Sequence, residues 1–159
     1  MKNLISYIKE SLLDDEDVLM KDTSEEAIKE VIKKFLKDNY ECTGNCKISK
    51  KPINGKYVVD CSGNLGVENG NITSLTNEYF EFGTIGGIFD CSFCPSLTSL
   101  EGAPKKVGGY FNCSFCPSLT SLEGAPEKVG GTFICVHCKI QFTISDVRKT
   151  SKVNGEIHC

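Results

Sequence analysis

Cysteine pairs with metal-ligand spacing are the residues of this chain that most directly suggest chemistry. The stretch CSFCPSLTSLEGAP occurs at 91–104 and again at 113–126, and each copy opens on Cys-x-x-Cys. An altered third copy opens on CVHC at 135–138. Zinc sites use pairs with this spacing, and two pairs supply the four thiolates of a tetrahedral site. The candidate zinc ligands are Cys91, Cys94, Cys113 and Cys116.

The surroundings of these pairs favour a structural role over zinc. The cysteines recur with the same period as the neighbouring phenylalanine and leucine residues, as core positions do, and Phe and Pro flank each pair instead of flexible or polar residues. Disulfides between stacked strands need a geometry that a regular ladder does not readily offer. We therefore interpret the pairs as buried thiols and expect no cofactor, and a zinc-binding module is the alternative hypothesis.

No catalytic constellation stands out, so we expect a protein that is not an enzyme. The chain lacks a phosphate-binding loop after a strand, a nucleophile elbow and a His-Glu zinc motif. Thiol oxidoreductase chemistry needs an exposed thiol of low pKa at a helix start, which a repeating interior ladder does not provide. His137 and His158 neighbour cysteines, and we interpret them as substitutions in the end coils rather than as ligands.

A repeat of 22 residues organises the chain around these cysteines. GGIFDCSFCPSLTSLEGAPKKV at 86–107 is followed by GGYFNCSFCPSLTSLEGAPEKV at 108–129, and looser copies lie at 72–87 and 130–153. Such a period predicts a solenoid with one coil per repeat. Phe111-x-Cys113 alternates as a strand does, and Gly124 and Pro126 favour a turn or 3₁₀-like return leg.

The residues before the repeats predict an end cap. A short helix is expected at 3–13, and a second helix follows Thr23 with the apolar stripe Ala27, Ile28, Val31, Ile32, Phe35 and Leu36. Strands at 47–49 and 56–61 are expected to form a hairpin through Pro52, Asn54 and Gly55. The predicted fold is α+β, with helices and hairpins (1–41 and 42–69) capping a short solenoid (70–159) in one compact domain.

Composition excludes some classes of function. The net charge of -3 gives no basic footprint for nucleic acid. Residues 1–41 carry seven Lys and eleven acidic residues, so this part is an acidic segment. Lys9 and Glu10 interrupt the N-terminal apolar run before it reaches secretory length, and no run approaches the length of a membrane span. We therefore expect a cytoplasmic protein with free thiols that binds neither nucleic acid nor membrane.

The strings F-x-C-x-x-C-x-x-L at 89–97 and 111–119 resemble the strand segment of cysteine-type leucine-rich repeats, over roughly residues 65–159. The following L-x-x-L-x-x-x-P resembles the return leg of bacterial repeats of this kind, although Phe and Cys stand where Leu is usual. YIKESLLDDED and SLTSLEGAPKKVGG are also similar to proteins of large tailed phages of gut bacteria. These resemblances imply a phage-encoded structural, packaged or host-directed protein in the bacterial cytoplasm or the virion.

The resemblance and the solenoid together predict a scaffold that binds another protein through its strand face. Residues that alternate with the buried positions should form outward columns, in which the near-identical coils differ. The chain ends on a strand, so self-association through that edge is also expected. The predicted partner-binding residues are Ile88, Asp90, Ser92, Tyr110, Asn112, Ser114, Thr132, Ile134, Glu156 and His158.

Overall fold

A β-solenoid of about four turns, closed at one end by a helix, forms the body of the protein. The computed structural model describes residues 25–68, 70 and 72–159. The expected α+β class is confirmed, with much more sheet than helix. The helix expected at 3–13 and the cap at Thr23 lie outside the described residues.

Two six-stranded sheets form the solenoid walls, and each coil crosses both of them. The first sheet contains β1 (Tyr40–Cys42), β4 (Leu65–Val67), β6 (Phe89–Asp90), β8 (Phe111–Asn112), β10 (Phe133–Ile134) and β12 (Ile157–His158). The second sheet contains β2 (Cys46–Ile48), β3 (Tyr57–Cys61), β5 (Phe80–Ile85), β7 (Lys106–Val107), β9 (Lys128–Val129) and β11 (Lys152–Val153). The helices are α1 (Glu25–Asn39) and α2 (Ile144–Thr150).

The second sheet was not expected, because the sequence predicted a turn-like return leg in each coil. The return leg does consist mostly of turns and bends, but it ends in a two-residue strand at Lys106–Val107 and at its equivalents. The glycine pairs at 108–109 and 130–131, which follow β7 and β9, form the corner between the sheets. Coil stacking also begins earlier than expected, since β3 and β4 already pair in parallel with β5 and β6.

The predicted interior positions are buried as expected. Phe89, Phe111 and Phe133 are each fully buried, and neighbouring rings lie 5.8 and 5.0 Å apart between centroids. The first and second cysteines of the two regular coils are also fully buried, as are Leu97 and Leu119. Because apolar area removed from water stabilises at roughly 25 cal/mol per Å², this stacked interior is the main source of stability.

Helix α1 covers the N-terminal end of the solenoid, as its apolar stripe predicted. Val31, Ile32, Phe35 and Leu36 are buried. The Phe35 ring lies 5.9 Å from that of Phe80, in an edge-to-face arrangement. Aromatic pairs of this kind contribute beyond the area that they bury. Neither helix in the described part of the chain has the length and apolar character needed to cross a membrane.

The hairpin before the solenoid forms as expected. Strands β2 and β3 pair antiparallel, and Cys46 lies opposite Cys61. Asn54 and Gly55 both have positive φ, at 51° and 82°, which the Asn-Gly sequence allows and a tight two-residue turn requires. One expectation fails here: the structure has a disulfide between Cys46 and Cys61, whereas the sequence predicted free thiols.

Helix α2 replaces the turn-like return leg in the last complete coil. Thr143 caps it: its side chain accepts a hydrogen bond from the Asp146 amide, and Asp146 in turn accepts from the Thr143 amide. Thr-x-x-Asp is a capping signal that is visible in the sequence. The helix also explains the spacing, because Phe133 and its partner Ile157 are two residues further apart than the equivalents in regular coils.

Candidate functional site

The outward columns predicted from the sequence are in register on the first sheet. Asp90 pairs with Asn112, Asn112 with Ile134, and Ile134 with His158. Tyr110 and Thr132 hold equivalent places one residue earlier, where their carbonyls accept hydrogen bonds from the preceding coil. We call the outer side of β6, β8, β10 and β12, with the flanking residues Ile88–Ser92 and their equivalents, the strand face.

Most strand-face residues reach solvent. Tyr110 is 51% exposed. Glu156 and His158 are exposed, and their side chains lie 2.9 Å apart between Oε2 and Nε2. The remaining members, partly exposed, are Ile88, Asp90, Ser92, Asn112, Thr132 and Ile134. Their role in binding a partner stays a prediction.

Ser114 is the exception, and its predicted exposure is wrong. Only 3% of this residue is exposed, although it alternates with buried positions. The coils on both sides are hydrogen-bonded to this part of the chain, since Phe93 N donates to Ser114 O and Phe115 N donates to Val136 O. A short side chain between two stacked coils does not reach past its neighbours. The Ser114 hydroxyl has no hydrogen-bond partner among the described residues.

Side chains of the strand face shape the turn that follows each strand. Asp90 Oδ1 accepts a hydrogen bond from the Ser92 amide at 2.8 Å, and Asn112 Oδ1 accepts from the Ser114 amide at 3.1 Å. These are Asx turns, in which a short side chain fixes the backbone two residues on. Asn112 Nδ2 also donates to Asp90 Oδ2 at 3.2 Å and links the two coils.

Beyond this turn, three aromatic side chains form an exposed row, which the sequence analysis did not predict. We call Phe93, Phe115 and His137 the aromatic row. The Phe93 and Phe115 rings are parallel, with centroids 4.6 Å apart, and the His137 ring lies 4.6 Å beyond Phe115. Phe93 is 66% exposed and Phe115 is 42% exposed. The row therefore presents a continuous aromatic edge to solvent beside the strand face.

The backbone of the aromatic row is in an unusual conformation. Phe93, Phe115 and His137 have φ values of 54°, 55° and 57°, in the left-handed region. Bulky residues are rare there, because the side chain crowds the backbone, and Gly or Asn is the usual occupant. The sequence signal for the row was the recurrence of an aromatic residue between the two cysteines of each pair. We interpreted His137 as an ordinary substitution, so this signal was missed.

A cavity opens at the Phe93 end of the row. Its volume is about 420 Å³, and its lining includes Glu41, Asp90, Ser92 and Phe93. The Phe93 ring is also stacked on that of Phe115. Two acidic residues and an aromatic residue thus line the same space, which suits a cationic group.

The cysteine pairs form hydrogen bonds of the kind expected for buried structural thiols. Cys116 Sγ donates to the Cys91 carbonyl of the preceding coil at 3.3 Å, and Cys138 Sγ donates to the Cys113 carbonyl at 3.2 Å. Among the described residues, one group of three or more potential metal ligands has all of its ligating atoms within 4.8 Å of one another. That group is a different set of cysteines. The alternative zinc set Cys91, Cys94, Cys113 and Cys116 is not such a group.

The surroundings raise the pKa of some of these thiols and lower the pKa of others. Burial raises the pKa of Cys91 well above its ordinary value. The hydrogen bond with Cys138, together with burial, raises the pKa of Cys113. The hydrogen bond with Cys113 lowers the pKa of Cys138 to about 7. A hydrogen bond from the Cys116 backbone N–H also lowers this pKa, and burial raises it. Cys138 combines a lowered pKa with partial exposure, so we expect it to be the most reactive thiol of the ladder.

We expect Cys138 to alkylate before Cys113 and Cys135, at a rate that rises through about pH 7 instead of pH 9. The ordinary thiol value is 9.0, so lowering it moves thiolate formation to lower pH. Pulse labelling across pH, followed by sequencing of peptide 129–139, would resolve Cys135 from Cys138. In the Cys113→Ala variant the midpoint should shift upward. Equal labelling of Cys135 and Cys138, or an unchanged midpoint in the variant, would contradict the assignment.

Three further cysteines, Cys42, Cys46 and Cys61, lie together at the base of the hairpin. Cys42 is exposed, and its Sγ lies 3.2 Å from the Sγ of Cys46, which is bonded to Cys61. All three sulfur atoms lie within 4.8 Å of one another. Three thiolates are a ligand set that zinc accepts. Two of these sulfurs are joined in the disulfide, so this set could bind a metal only after reduction.

In comparisons with protein-family models, curated proteins and solved structures, none matched this chain. The proposed function therefore rests on the structure of the solenoid and its surface.

Proposed function

We propose that this chain is a non-enzymatic scaffold that binds another protein through the strand face and the aromatic row. The observation that carries the proposal is the aromatic row: three ring side chains in register at the surface, each on a left-handed backbone. Exposed contiguous apolar surface marks interaction sites in soluble proteins. Aromatic anchors dominate the energetics of protein interfaces.

Stacking between the rings stabilises adjacent coils, but it does not require them to be exposed on a left-handed backbone. The rings lie outside the solenoid interior, and Phe93 is two-thirds exposed. Asn or Gly would occupy the left-handed position at a lower conformational cost. Backbone strain retained at an exposed position is typical of functional sites. The row therefore supports a role in recognition, and nearby Tyr110 extends the same surface along the strand face.

The cavity at the Phe93 end supports a partner segment that carries a basic side chain. The stem of a Lys or Arg side chain would lie against Phe93, and its charge would lie near the carboxylates of Glu41 and Asp90. An apolar neighbour in the same segment would contact the exposed edges of Phe93 and Phe115. Both the cation–π contact and the charge-assisted hydrogen bonds become stronger when they are partly desolvated.

The finer parts of the proposal rest on the sequence resemblance. The coils are proposed to be leucine-rich-repeat-like, and the protein to be phage-encoded, with a structural, packaged or host-directed role in the bacterial cytoplasm or the virion. Self-association through the edge of β12 is proposed as well, since this strand is the last of the first sheet. Neither nucleic acid nor membrane is a proposed partner.

Selection of random peptides on the immobilised full chain tests the binding proposal. We expect enrichment of peptides that combine Lys or Arg with adjacent apolar residues. Phe93→Asn removes the ring at a position where Asn is tolerated, and Asp90→Asn keeps the Asx turn, as Asn112 does in the next coil. Each substitution should weaken binding of the selected peptides by roughly tenfold, as loss of an interface anchor does.

The matched control is Ile144→Ser, which removes an exposed apolar side chain at the start of α2 that belongs to neither the strand face nor the row. This variant should bind the selected peptides as the unmodified chain does. Peptides without basic residues, or binding that survives both Phe93→Asn and Asp90→Asn, would refute the proposed surface. Zinc analysis of the purified chain addresses the alternative module: one bound zinc lost on replacing Cys91 and Cys113 would favour it.

A further inference from the structure

The cysteines at the base of the hairpin combine a free thiol with a disulfide in one contact. Cys42 ends β1, Cys46 begins β2 and Cys61 ends β3. The Sγ of Cys42 lies 3.2 Å from the Sγ of Cys46, within contact distance. Cys42 is exposed, whereas Cys61 is 2% exposed. We propose that these residues form a thiol–disulfide exchange site, in which the Cys42 thiolate attacks the sulfur of Cys46.

The proposed step is balanced within the protein. The Cys42 thiol gives its proton to solvent, and the resulting thiolate forms a bond to Cys46 Sγ. The bond between Cys46 and Cys61 breaks, and its electron pair leaves on Cys61 Sγ, which takes a proton from solvent. One disulfide and one thiol exist before and after, so neither an oxidant nor a reductant is needed. Exchange of this kind requires a thiolate with access to the disulfide sulfur.

The loop between Cys42 and Cys46 holds these two sulfurs near each other without help from the disulfide. Thr43 N donates to Asn64 O at 3.2 Å, and Asn45 N donates to the Ser62 hydroxyl at 3.0 Å. The loop also packs so closely on the next turn that a Cβ atom at Gly44 would overlap the backbone of Gly63. The distance between Cys42 and Cys46 is therefore set by backbone contacts that both disulfide isomers keep.

Strand pairing in the hairpin is likewise independent of which disulfide is present. Lys47 lies opposite Asp60 and Ile48 opposite Val59. Ser49 N donates to Val58 O at 2.9 Å. These contacts hold β2 against β3 after the bond to Cys61 has opened. Exchange thus needs the Cys42 side chain to turn into line with the disulfide, and the hairpin contacts can stay closed.

Exchange would move the free thiol between the surface and the interior. In the structure the free thiol is the exposed Cys42. In the other isomer it is Cys61, which packs in the core cluster of the solenoid. A cavity of about 370 Å³, lined by Leu36, Tyr40, Cys42 and Cys46, opens directly onto the reacting pair. The site thereby alternates between a form with an accessible thiol and a form with a protected one.

Disulfide mapping of the full chain tests the proposal. Trypsin leaves Cys42 and Cys46 in one peptide, 38–47, and places Cys61 in peptide 57–105. After incubation at mildly alkaline pH, acid quenching and alkylation, we expect two products. One is a linked pair of these peptides with Cys42 alkylated. The other is peptide 38–47 with an internal disulfide, together with alkylated Cys61.

Single substitutions sharpen the test. With oxidised glutathione supplied as the two-electron oxidant, Cys61→Ser should form the bond between Cys42 and Cys46 at least about tenfold faster than Cys46→Ser forms one between Cys42 and Cys61, because proximity sets the rate. Cys42→Ser should show only the bond between Cys46 and Cys61. Circular dichroism checks that each variant is folded, and mapping of the unmodified chain decides the question if one is not.

Recovery of the linked pair alone from the unmodified chain, after prolonged incubation, would overturn the proposal. A chain purified with one zinc ion bound to three reduced cysteines would also overturn it, since the thiolates would then be ligands and not exchange partners. The result is independent of the proposed protein-binding function, because the strand face and the aromatic row contain none of these cysteines.

Discussion

Replacing Phe111 with alanine is expected to lower the free energy of unfolding by about 3–5 kcal/mol, the cost of a fully buried Phe-to-Ala change. The ring is fully buried, parallel to that of Phe89 and in contact with that of Phe133. Its loss would leave a cavity between two coils that are fixed by backbone hydrogen bonds on both sides. Such a site has little freedom to collapse, so the cost should lie toward the upper end of the range.

The neighbouring Tyr110 provides the matched control. It belongs to the same coil but faces outward and is 51% exposed. Tyr110→Ala should therefore cost about 1 kcal/mol or less, as surface substitutions generally do. Urea denaturation followed by circular dichroism measures both values. Similar losses for the two variants would show that the phenylalanine stack does not dominate the stability of the solenoid.

Replacing Gly108 with alanine should cost about 3 kcal/mol, although the change adds only one methyl group. A Cβ atom at this position would overlap the carbonyl oxygen of Gly86 in the preceding coil. The Gly108 amide donates to Ile85 O at 2.8 Å, so the coils cannot separate without weakening this bond. The obstructing atom belongs to the backbone, and no side-chain rotation relieves the overlap.

Gly66 is the control for this prediction, because it lies on β4 of the same solenoid with open space around it. The nearest heavy atom to a Cβ there is Asp90 O at 3.9 Å, an ordinary contact. Gly66→Ala should change the free energy of unfolding by no more than about 0.5 kcal/mol. The prediction fails if Gly108→Ala unfolds at the same urea concentration as Gly66→Ala.

The solenoid itself was predictable from the sequence, because two near-identical copies fix both the period and the interior positions. The second strand of each coil was not. Lys106–Val107 and Lys128–Val129 are two residues long, which is too short for alternation to be recognised. Their strand character comes from pairing between successive coils. Helix α2 did carry a local signal at Thr143 and Asp146, and that signal was not used.

The candidate surfaces show the same division between local and long-range information. Alternation along the strand predicted which positions point outward. The prediction was wrong for Ser114, because the exposure of a short side chain also depends on the residues around it. The aromatic row was missed because left-handed backbone at Phe93 contradicts the usual residue preference. The group formed by Cys42, Cys46 and Cys61 depends on how two sheets meet at the hairpin, and no spacing along the chain encodes that meeting.

Because the coils at 86–107 and 108–129 are nearly identical, the solenoid can be shortened or lengthened by a whole coil. Phe89 and Phe111, the cysteine pairs and the corner glycines occupy the same places in both coils. A chain without 108–129 would present to the coil at 130 the same interior contacts that it has now, and a duplicated copy would do so as well. The stacking axis can therefore be shortened or extended by whole coils, and each coil adds one ring to the surface row while the cavity at Phe93 stays unchanged.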